Sequence, residues 1–254
     1  MADNMIDYLD ATGWARLVLA KYADDLLPMS ERVKAGYVDP LAEPILAETE
    51  LGWDILETGS GWGSLSAILA GRGRQVTLMD WGSAIVAKGQ DLLRLCGVSS
   101  PQGVCADLFA PLPFADNSFD CVWSSGVLEH FRREKQIKIL QESARIARHR
   151  VISLIPNAWS VAYRLGKWYM IRHNQWDFGY EKPEYSQRQL FIEAGLKNIR
   201  EKSVDAARSG WFLQGLPNSG LWTNVWHRIC QTWPYGVNQF FWQGYMLVTV
   251  GDVK

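Results

Sequence analysis

The sequence predicts an α/β fold: a doubly wound, mostly parallel sheet of seven strands with helices on both faces and an antiparallel last strand. Three observations predict it. Short runs of Val, Ile and Leu alternate with helix-length segments between Trp53 and Pro156. Three alternating glycines follow the first of these runs. Two further apolar or alternating segments in the C-terminal part of the sequence can pair antiparallel at the sheet edge.

Five parallel strands and three helices make up the centre of this prediction. The strands cover residues 53–58, 75–80, 103–106, 119–124 and 150–155. The helices between them cover residues 64–71, 83–95 and 134–148, and in the last of these Ile137, Leu140 and Ala144 recur at helical spacing. Because crossovers between parallel strands are right-handed, this alternation gives an open sheet covered on both faces.

The flanking segments extend this core at both ends. Residues 5–27 are predicted to form one or two amphipathic helices that end before Pro28 and cover either one side of the sheet or the ligand cleft. Downstream, a helix is predicted to begin at Ser186 and to stop at Gly195. The last two strands are predicted at residues 199–204 and 245–250.

Composition argues against several functional classes. The 26 Lys and Arg residues balance 27 Asp and Glu residues, so the net charge of −1 gives no footprint for sequence-independent nucleic-acid binding. The four cysteines form no CxxC pair, and no histidine lies near them at zinc-ligand spacing. The acidic N-terminal segment and the lack of an apolar run near ~20 residues predict a cytoplasmic protein with no transmembrane segment.

A glycine-rich turn is the strongest motif. The strand ILET runs into Gly59, Gly61 and Gly63, which let the backbone turn sharply and let a ligand lie against main-chain atoms. The GxGxG spacing is neither the GxGxxG of dinucleotide folds nor a phosphate loop. Glu57 stands two residues ahead of the turn, where a carboxylate would repel a pyrophosphate. The motif therefore favours a cationic or hydrogen-bond-donating ligand.

Acidic residues end the first three strands of the predicted sheet. Asp80 follows Gly59 by about 20 residues, the position that binds a ribose diol in related folds. Asp107 ends the third strand, where its carboxylate can accept a hydrogen bond from an exocyclic amine. Each acid has a structural alternative: Glu57 and Asp107 as helix caps, and Asp80 as a turn residue. Their shared position at one sheet edge favours a ligand site.

The strings ILETGSGWG, VTLMD, CADL and PLPFADNSFDCVWSSGVLEHF resemble the successive motifs of class I S-adenosylmethionine-dependent methyltransferases. The resemblance covers residues 53–156 and implies a Rossmann-like sheet, methyl transfer and S-adenosyl-L-methionine as cofactor. It further implies that the methionine part of the cofactor is lined by Gly59, Ser60, Gly61 and Gly63.

The same resemblance implies roles at the nucleoside end of the cofactor. Asp80 would hold the ribose hydroxyls, and Asp107 with Leu108 would hold the adenine. Glu57 would lie near the cofactor's amino group or the loop amides, and Trp81 would stack against the adenine. Trp62, inside the glycine turn, either covers the cofactor or packs away from it.

The segment SSGVLEHF is similar to the one that follows the fourth strand in ubiquinone-type O-methyltransferases. The resemblance implies that Ser125 touches the cofactor. In that subgroup an acid three residues before the Glu belongs to a divalent metal site, but Gly126 stands there in this chain. Only Glu129 and His130 then remain as ligands, so we predict no metal site.

Methyl transfer from a sulfonium is an in-line displacement that depends mainly on positioning the acceptor. His130 is the candidate catalytic base, since imidazole titrates near neutral pH, although a histidine here can also be a structural helix cap. We expect a small, aromatic or apolar acceptor. Oxygen is the first-choice acceptor atom, and nitrogen is the second. The alternative is an S-adenosylmethionine-binding protein that transfers another group or acts as a non-catalytic sensor or partner subunit.

Tryptophan is concentrated in the C-terminal part: eight of the 13 lie from Trp159 onward. We predict a single domain over residues 1–254, with a helical cap at 1–50, a cofactor-binding core at 51–156 and aromatic insertions at 157–184 and 207–244. The insertions form a substrate cover, a satellite core, or an interface for a dimer or for peripheral membrane contact. The oligomeric state is left open.

Overall fold

The computed structural model describes residues 11–21, 25–232 and 244–253. Its centre is one seven-stranded sheet with the order β3-β2-β1-β4-β5-β7-β6. Strands β1 to β5 are parallel, and β7 pairs antiparallel with β5 and with β6. The predicted sheet is therefore confirmed. The strands are β1 Asp54–Thr58, β2 Gln75–Asp80, β3 Gln102–Cys105, β4 Phe119–Ser125, β5 Ala147–Pro156, β6 Lys197–Val204 and β7 Met246–Asp252.

Helices between the parallel strands lie where the apolar periodicity predicts them. They are α4 Ser64–Gly71, α5 Ser83–Leu95 and α6 Arg133–Ile146. Strand β5 begins directly after α6, three residues earlier than predicted. Arg148, inside this extension, pairs with Asp120 of β4 at 2.9 Å and so ties the two strands together at their amino ends.

The N-terminal segment forms three helices, α1 Ala11–Lys21, α2 Leu26–Lys34 and α3 Glu43–Ala47. The prediction that helical structure ends before Pro28 is wrong. Pro28 lies in the first turn of α2, where a backbone N–H has no intrahelical acceptor and the proline ring is tolerated. The predicted helical residues 5–10 and 22–24 lie outside the described part of the chain.

The aromatic insertions contain regular structure that no sequence pattern predicted. The first holds α7 Val161–Arg172. Between the insertions, the helix predicted to begin at Ser186 and to stop at Gly195 is present as α8, Arg188–Glu193. The second holds a 3-10 helix, Arg208–Gly215, and α9 Ser219–Thr232. Helix α7, the 3-10 helix and α9 each bury one apolar side chain in a small satellite core. These side chains are Ala162, Leu213 and Trp226. The predicted aromatic positions Trp233, Tyr235, Phe240, Phe241 and Trp242 lie outside the described residues.

Both faces of the sheet are covered by apolar side chains, as the doubly wound prediction requires. Ile55 and Trp123 belong to the cluster on one face, and Leu56 and Val122 to the cluster on the other. This alternation follows from the two-residue period of a strand. Among the described residues, no helix is long and apolar enough to cross a membrane.

Candidate active site

A cavity of about 690 Å³ opens at the carboxyl ends of β1, β2 and β4. This is the edge at which open α/β sheets bind ligands, and the volume lies within the ~300–1,000 Å³ of small-molecule sites. Its walls come from the glycine turn, the strand ends, helix α1 and both aromatic insertions. The predicted site residues that line it are Glu57, Gly59, Ser60, Gly61, Asp80, Trp81, Asp107, Leu108, Ser125 and His130.

The glycine turn has the left-handed backbone that its composition predicts. Gly59 and Gly61 have φ of +67° and +51°. A Cβ on Gly59 would come within 2.5 Å of Val127 Cγ2, whereas a Cβ on Gly61 would meet no protein atom within 4 Å. Gly61 therefore leaves space on the cavity side of the turn, where a ligand can approach the backbone.

The expectation that Gly63 lines the ligand cavity together with Gly59 and Gly61 is wrong. Gly63 does not belong to the cavity lining. A Cβ at this position would stand 3.3 Å from Leu78 Cδ1 and 3.5 Å from the Gly89 Cα. Gly63 thus allows the start of α4 to pack closely on β2 and α5, while the two preceding glycines face the cavity.

Trp62 lines the cavity beside these glycines. It is half-buried and also packs against the core cluster on one face of the sheet. Trp62 therefore packs on the core and also borders the cavity, and its contact with the cofactor stays a prediction.

Asp80 is 2% exposed and accepts hydrogen bonds from two backbone N–H groups. The Gly61 N–H donates at 3.0 Å and the Gly82 N–H at 3.3 Å. Burial raises the pKa of this carboxyl, and the two backbone hydrogen bonds oppose that shift. Asp80 therefore links the end of β2 to the glycine turn, and each oxygen has a remaining lone pair for a ligand hydroxyl.

We expect the Asp80→Ala variant to bind S-adenosylmethionine about 10–100-fold more weakly, since a ribose diol would lose its charged acceptor at a cost of ~1.5–3 kcal/mol. Isothermal titration calorimetry measures this change. Asp91→Ala, at an exposed site on α5, is the matched control and is expected to keep wild-type affinity. Unchanged affinity in Asp80→Ala would remove the carboxylate from the site.

Glu57 is 3% exposed and accepts a hydrogen bond of 2.5 Å from Ser66 Oγ. The backbone N–H of Ser66, in the first turn of α4, also donates to this carboxyl group, so Glu57 caps that turn as the helix-cap alternative expects, although the N-cap residue itself is Gly63. Burial raises the pKa of Glu57 to about 8, and the nearby Asp80 adds to the shift while the Ser66 hydrogen bond opposes it. At neutral pH the ligand-free protein therefore holds Glu57 mainly protonated.

A cationic ligand beside Glu57 should favour its charged form and lower its pKa below the ligand-free value of about 8. Binding at pH 7 is then expected to release a proton, and affinity is expected to rise between pH 6 and pH 7.5. Calorimetry in two buffers of different ionisation enthalpy measures this release. The Glu57→Gln variant should release no proton on binding. If it releases as much as the wild-type protein does, the titrating group is not Glu57.

The cavity lining after β3 includes an exposed carboxylate. Asp107 is exposed at the rim, and its Oδ1 accepts a hydrogen bond of 2.9 Å from the Phe109 N–H. This bond fixes the turn after β3 and does not cap a helix, so the helix-cap alternative is wrong for Asp107. The apolar side chains of Leu108 and Trp81 also line the cavity.

The other end of the cavity contains a buried charged cluster. Glu129 and His130 lie in the 3-10 helix Leu128–His130, directly after β4. Glu181, from the loop after α7, reaches the same space, and its Oε1 lies 2.8 Å from Lys167 Nζ. Tyr163 donates its hydroxyl proton to the same Glu181 oxygen. The sequence patterns did not identify Glu181, Lys167 and Tyr163 as site residues, because no local motif marks side chains that reach the site from a distant insertion.

His130 has a defined tautomer. Its Nδ1 lies 2.6 Å from the Tyr180 carbonyl oxygen, which can only accept, so Nδ1 carries the proton and Nε2 keeps its lone pair. Burial lowers the pKa of His130, and the Tyr180 hydrogen bond opposes the shift. The ring is therefore neutral near pH 7, as a general base must be.

Glu129 is 1% exposed, and its Oε2 has no hydrogen-bond partner. Burial raises the pKa of Glu129, and the neighbouring Glu181 adds to the shift. The candidate ligand atoms of Glu129, His130 and Glu181 all lie within 4.8 Å of one another. The expectation that only two metal-ligating side chains meet here is thus wrong, and these three residues are the ones that could hold a divalent cation, although the Lys167 ammonium already neutralises Glu181.

Comparison with known proteins identifies the domain that contains this cavity. Residues 56–155 match the family model of the methyltransferase domain. The chain carries a class I S-adenosylmethionine-dependent methyltransferase domain. As a methyltransferase it uses S-adenosylmethionine as methyl donor. The matched segment runs from β1 to β5 and so includes the glycine turn, all three acidic strand ends and the LEH sequence.

Solved structures share the fold of this methyltransferase. The magnesium protoporphyrin IX methyltransferase of Synechocystis, with bound S-adenosylmethionine, is 17% identical and has a TM-score of 0.52, with 88% of this chain and 78% of that chain covered. The geranyl diphosphate C-methyltransferase of Streptomyces coelicolor is 10% identical, with a TM-score of 0.57 and coverage of 84% and 78%.

A third similar structure is a Haloferax volcanii complex between the Trm112 methyltransferase activator and a candidate methyltransferase. It is 18% identical, with a TM-score of 0.58 and coverage of 94% and 97%. A search of curated protein sequences finds no match.

Proposed function

We propose that this methyltransferase transfers the methyl group of S-adenosylmethionine to a hydroxyl oxygen of a small, aromatic or apolar acceptor. The observation that carries the proposal is the composition of the cavity beyond the glycine turn. Its walls there are aromatic, with a neutral histidine and a buried carboxyl group set among them. The aromatic residues are Trp14, Trp176, Phe178, Tyr180, Trp211 and Phe212.

Aromatic walls favour an acceptor with a planar or apolar body, because they bury its surface and exclude water from the transfer geometry. They come from three separate elements: α1, the loop after α7 and the 3-10 helix Arg208–Gly215. This arrangement supports the role of substrate cover for parts of both insertions. The satellite core around Trp226 supports the structural role for the rest.

In the proposed mechanism the cofactor lies along the glycine turn with its ribose at Asp80 and its adenine toward Asp107, Leu108 and Trp81. Ser125, at the end of β4, lines the cavity where the sulfonium would lie. S-adenosylmethionine would supply its methyl group to the acceptor oxygen and leave as S-adenosylhomocysteine, and His130 Nε2 would accept the hydroxyl proton of the acceptor. The protonated imidazole is stabilised by the Tyr180 carbonyl at Nδ1.

A panel of phenols, apolar alcohols and aromatic amines, assayed for S-adenosylhomocysteine formation, tests the proposal. We expect turnover with at least one hydroxyl compound and slower turnover with the matching amine. A preference for amines would overturn oxygen as the acceptor atom. Tight S-adenosylmethionine binding without product from any acceptor would instead favour the sensor or partner-subunit alternative.

A further inference from the structure

Helix α7 has an exposed apolar side, which we call the α7 surface. It is formed by Trp159, Val161, Leu165, Trp168, Ile171 and Tyr185, each 46–55% exposed. The residues inside the helix follow helical spacing, so they share one side while Ala162 and Gly166 face the protein. Monomeric soluble proteins rarely expose a continuous apolar patch of this kind without a partner.

Ring and cation contacts join parts of this surface to each other and to neighbouring arginines. The rings of Trp159 and Tyr185 lie 4.8 Å apart between centroids. Arg164 Nη1 lies 3.4 Å from the Tyr185 hydroxyl oxygen, and the Arg172 guanidinium lies 4.7 Å from the Trp168 ring centroid. Both arginines are exposed, so two cationic groups flank the apolar side chains.

Helix α7 itself carries only positive charge. Residues 157–176 contain three basic residues, Arg164, Lys167 and Arg172, and no Asp or Glu. Lys167 points inward to Glu181, which leaves the two arginines outside. The whole chain nevertheless has a net charge of −1, so this positive charge is local. Two copies of the same cationic surface would repel each other in a symmetric dimer.

We propose that the α7 surface docks the protein on an anionic lipid bilayer. Tryptophan and tyrosine favour the membrane interface, aliphatic side chains insert below it, and flanking arginines reach anionic headgroups. Helix α7 does not line the cavity, but elements next to it do. Trp176 follows α7 in the chain, and Phe212, whose ring centroid lies 4.9 Å from that of Tyr163, belongs to the 3-10 helix that packs on α7.

Docking would bring the cavity wall that lies next to α7 toward the membrane, where an apolar acceptor accumulates. This last step rests on the proposed function, whereas membrane binding itself does not. The experiment therefore omits cofactor and acceptor: the full chain is sedimented with vesicles of phosphatidylcholine alone or of phosphatidylcholine with phosphatidylglycerol. Failure to bind vesicles would overturn docking and leave the proposed methyl transfer untouched.

We expect the wild-type protein to bind the anionic vesicles about tenfold or more tightly than the neutral ones, with binding weakened by added salt. The double variant Leu165→Gln, Trp168→Gln should lose about tenfold or more of that affinity. The matched control is Leu51→Gln, which replaces a side chain 77% exposed ahead of β1, at the opposite end of the sheet from the cavity.

Unchanged melting temperature and S-adenosylmethionine affinity in the double variant would show that its fold is intact. Equal loss of vesicle binding in Leu51→Gln would contradict the assignment to α7. Sedimentation velocity provides a separate test: a wild-type dimer that the double variant converts to monomer would assign the surface to a second copy and overturn the proposal.

Discussion

Replacing His130 by alanine is expected to lower kcat by about 10²–10⁴-fold, the range that a positioned general base contributes. S-adenosylmethionine affinity should change much less, because His130 lies on the acceptor side of the cavity, near Trp14, at a ring-centroid distance of 6.0 Å. Steady-state kinetics with the best acceptor from the panel, combined with calorimetry, measures both quantities. Added imidazole is expected to restore part of the lost rate.

The pH profile separates His130 from the buried Glu129 as the base. Since burial lowers the pKa of His130, a histidine base stays active down to below pH 6.5, the ordinary value for a histidine. A carboxyl base with the raised pKa of Glu129 would instead lose activity at a higher pH than an ordinary carboxylate does. Glu129→Gln tests this second candidate, and His149→Ala, on the exposed ring stacked on Trp53, is the matched histidine control. Wild-type turnover in His130→Ala would place the base elsewhere.

Replacing Gly61 by valine is expected to weaken S-adenosylmethionine binding by at least about 100-fold, since a displacement of about 1 Å in a positioned ligand has effects of this size. The φ of +51° disfavours any β-branched residue, and the new side chain would point into the cavity. Calorimetry measures the affinity, and thermal unfolding reports on the fold.

Gly61→Ala separates the two causes of this effect. A single Cβ at this position meets no protein atom within 4 Å, so any loss of affinity beyond backbone strain reflects contact with the cofactor. Gly97→Ala is the matched control, because Gly97 also has a positive φ, of +97°, and also has no atom within 4 Å of an added Cβ. Full cofactor binding by Gly61→Val would contradict the close approach of ligand to the turn.

The core of the fold was predictable because its signals are local. In α4 and α5 the periodicity marks even the terminal residues, and β2 was predicted with its observed bounds. The strand-end positions of Glu57, Asp80 and Asp107 follow from the strand boundaries alone. Since the carboxyl ends of parallel strands share one edge, the sequence also predicts that these acids line one cavity.

The insertions were not predictable for a physical reason. Helix α7 carries apolar residues on its exposed side, such as Leu165 and Trp168, as well as on its buried side, such as Ala162. The contrast between faces that marks an amphipathic helix is therefore weak. Glu181 was missed because its position depends on tertiary contacts, including the Lys182 N–H that donates to the Glu129 carbonyl oxygen at 2.9 Å.

A crystal structure with S-adenosylhomocysteine tests the central claim most directly, because it locates each part of the cofactor. The account predicts ribose hydroxyls within hydrogen-bond distance of the Asp80 carboxylate, adenine between Leu108 and Trp81, and the sulfur pointing toward His130. A nucleoside bound away from Asp80, or a cofactor with its sulfur turned away from the aromatic end of the cavity, would contradict it.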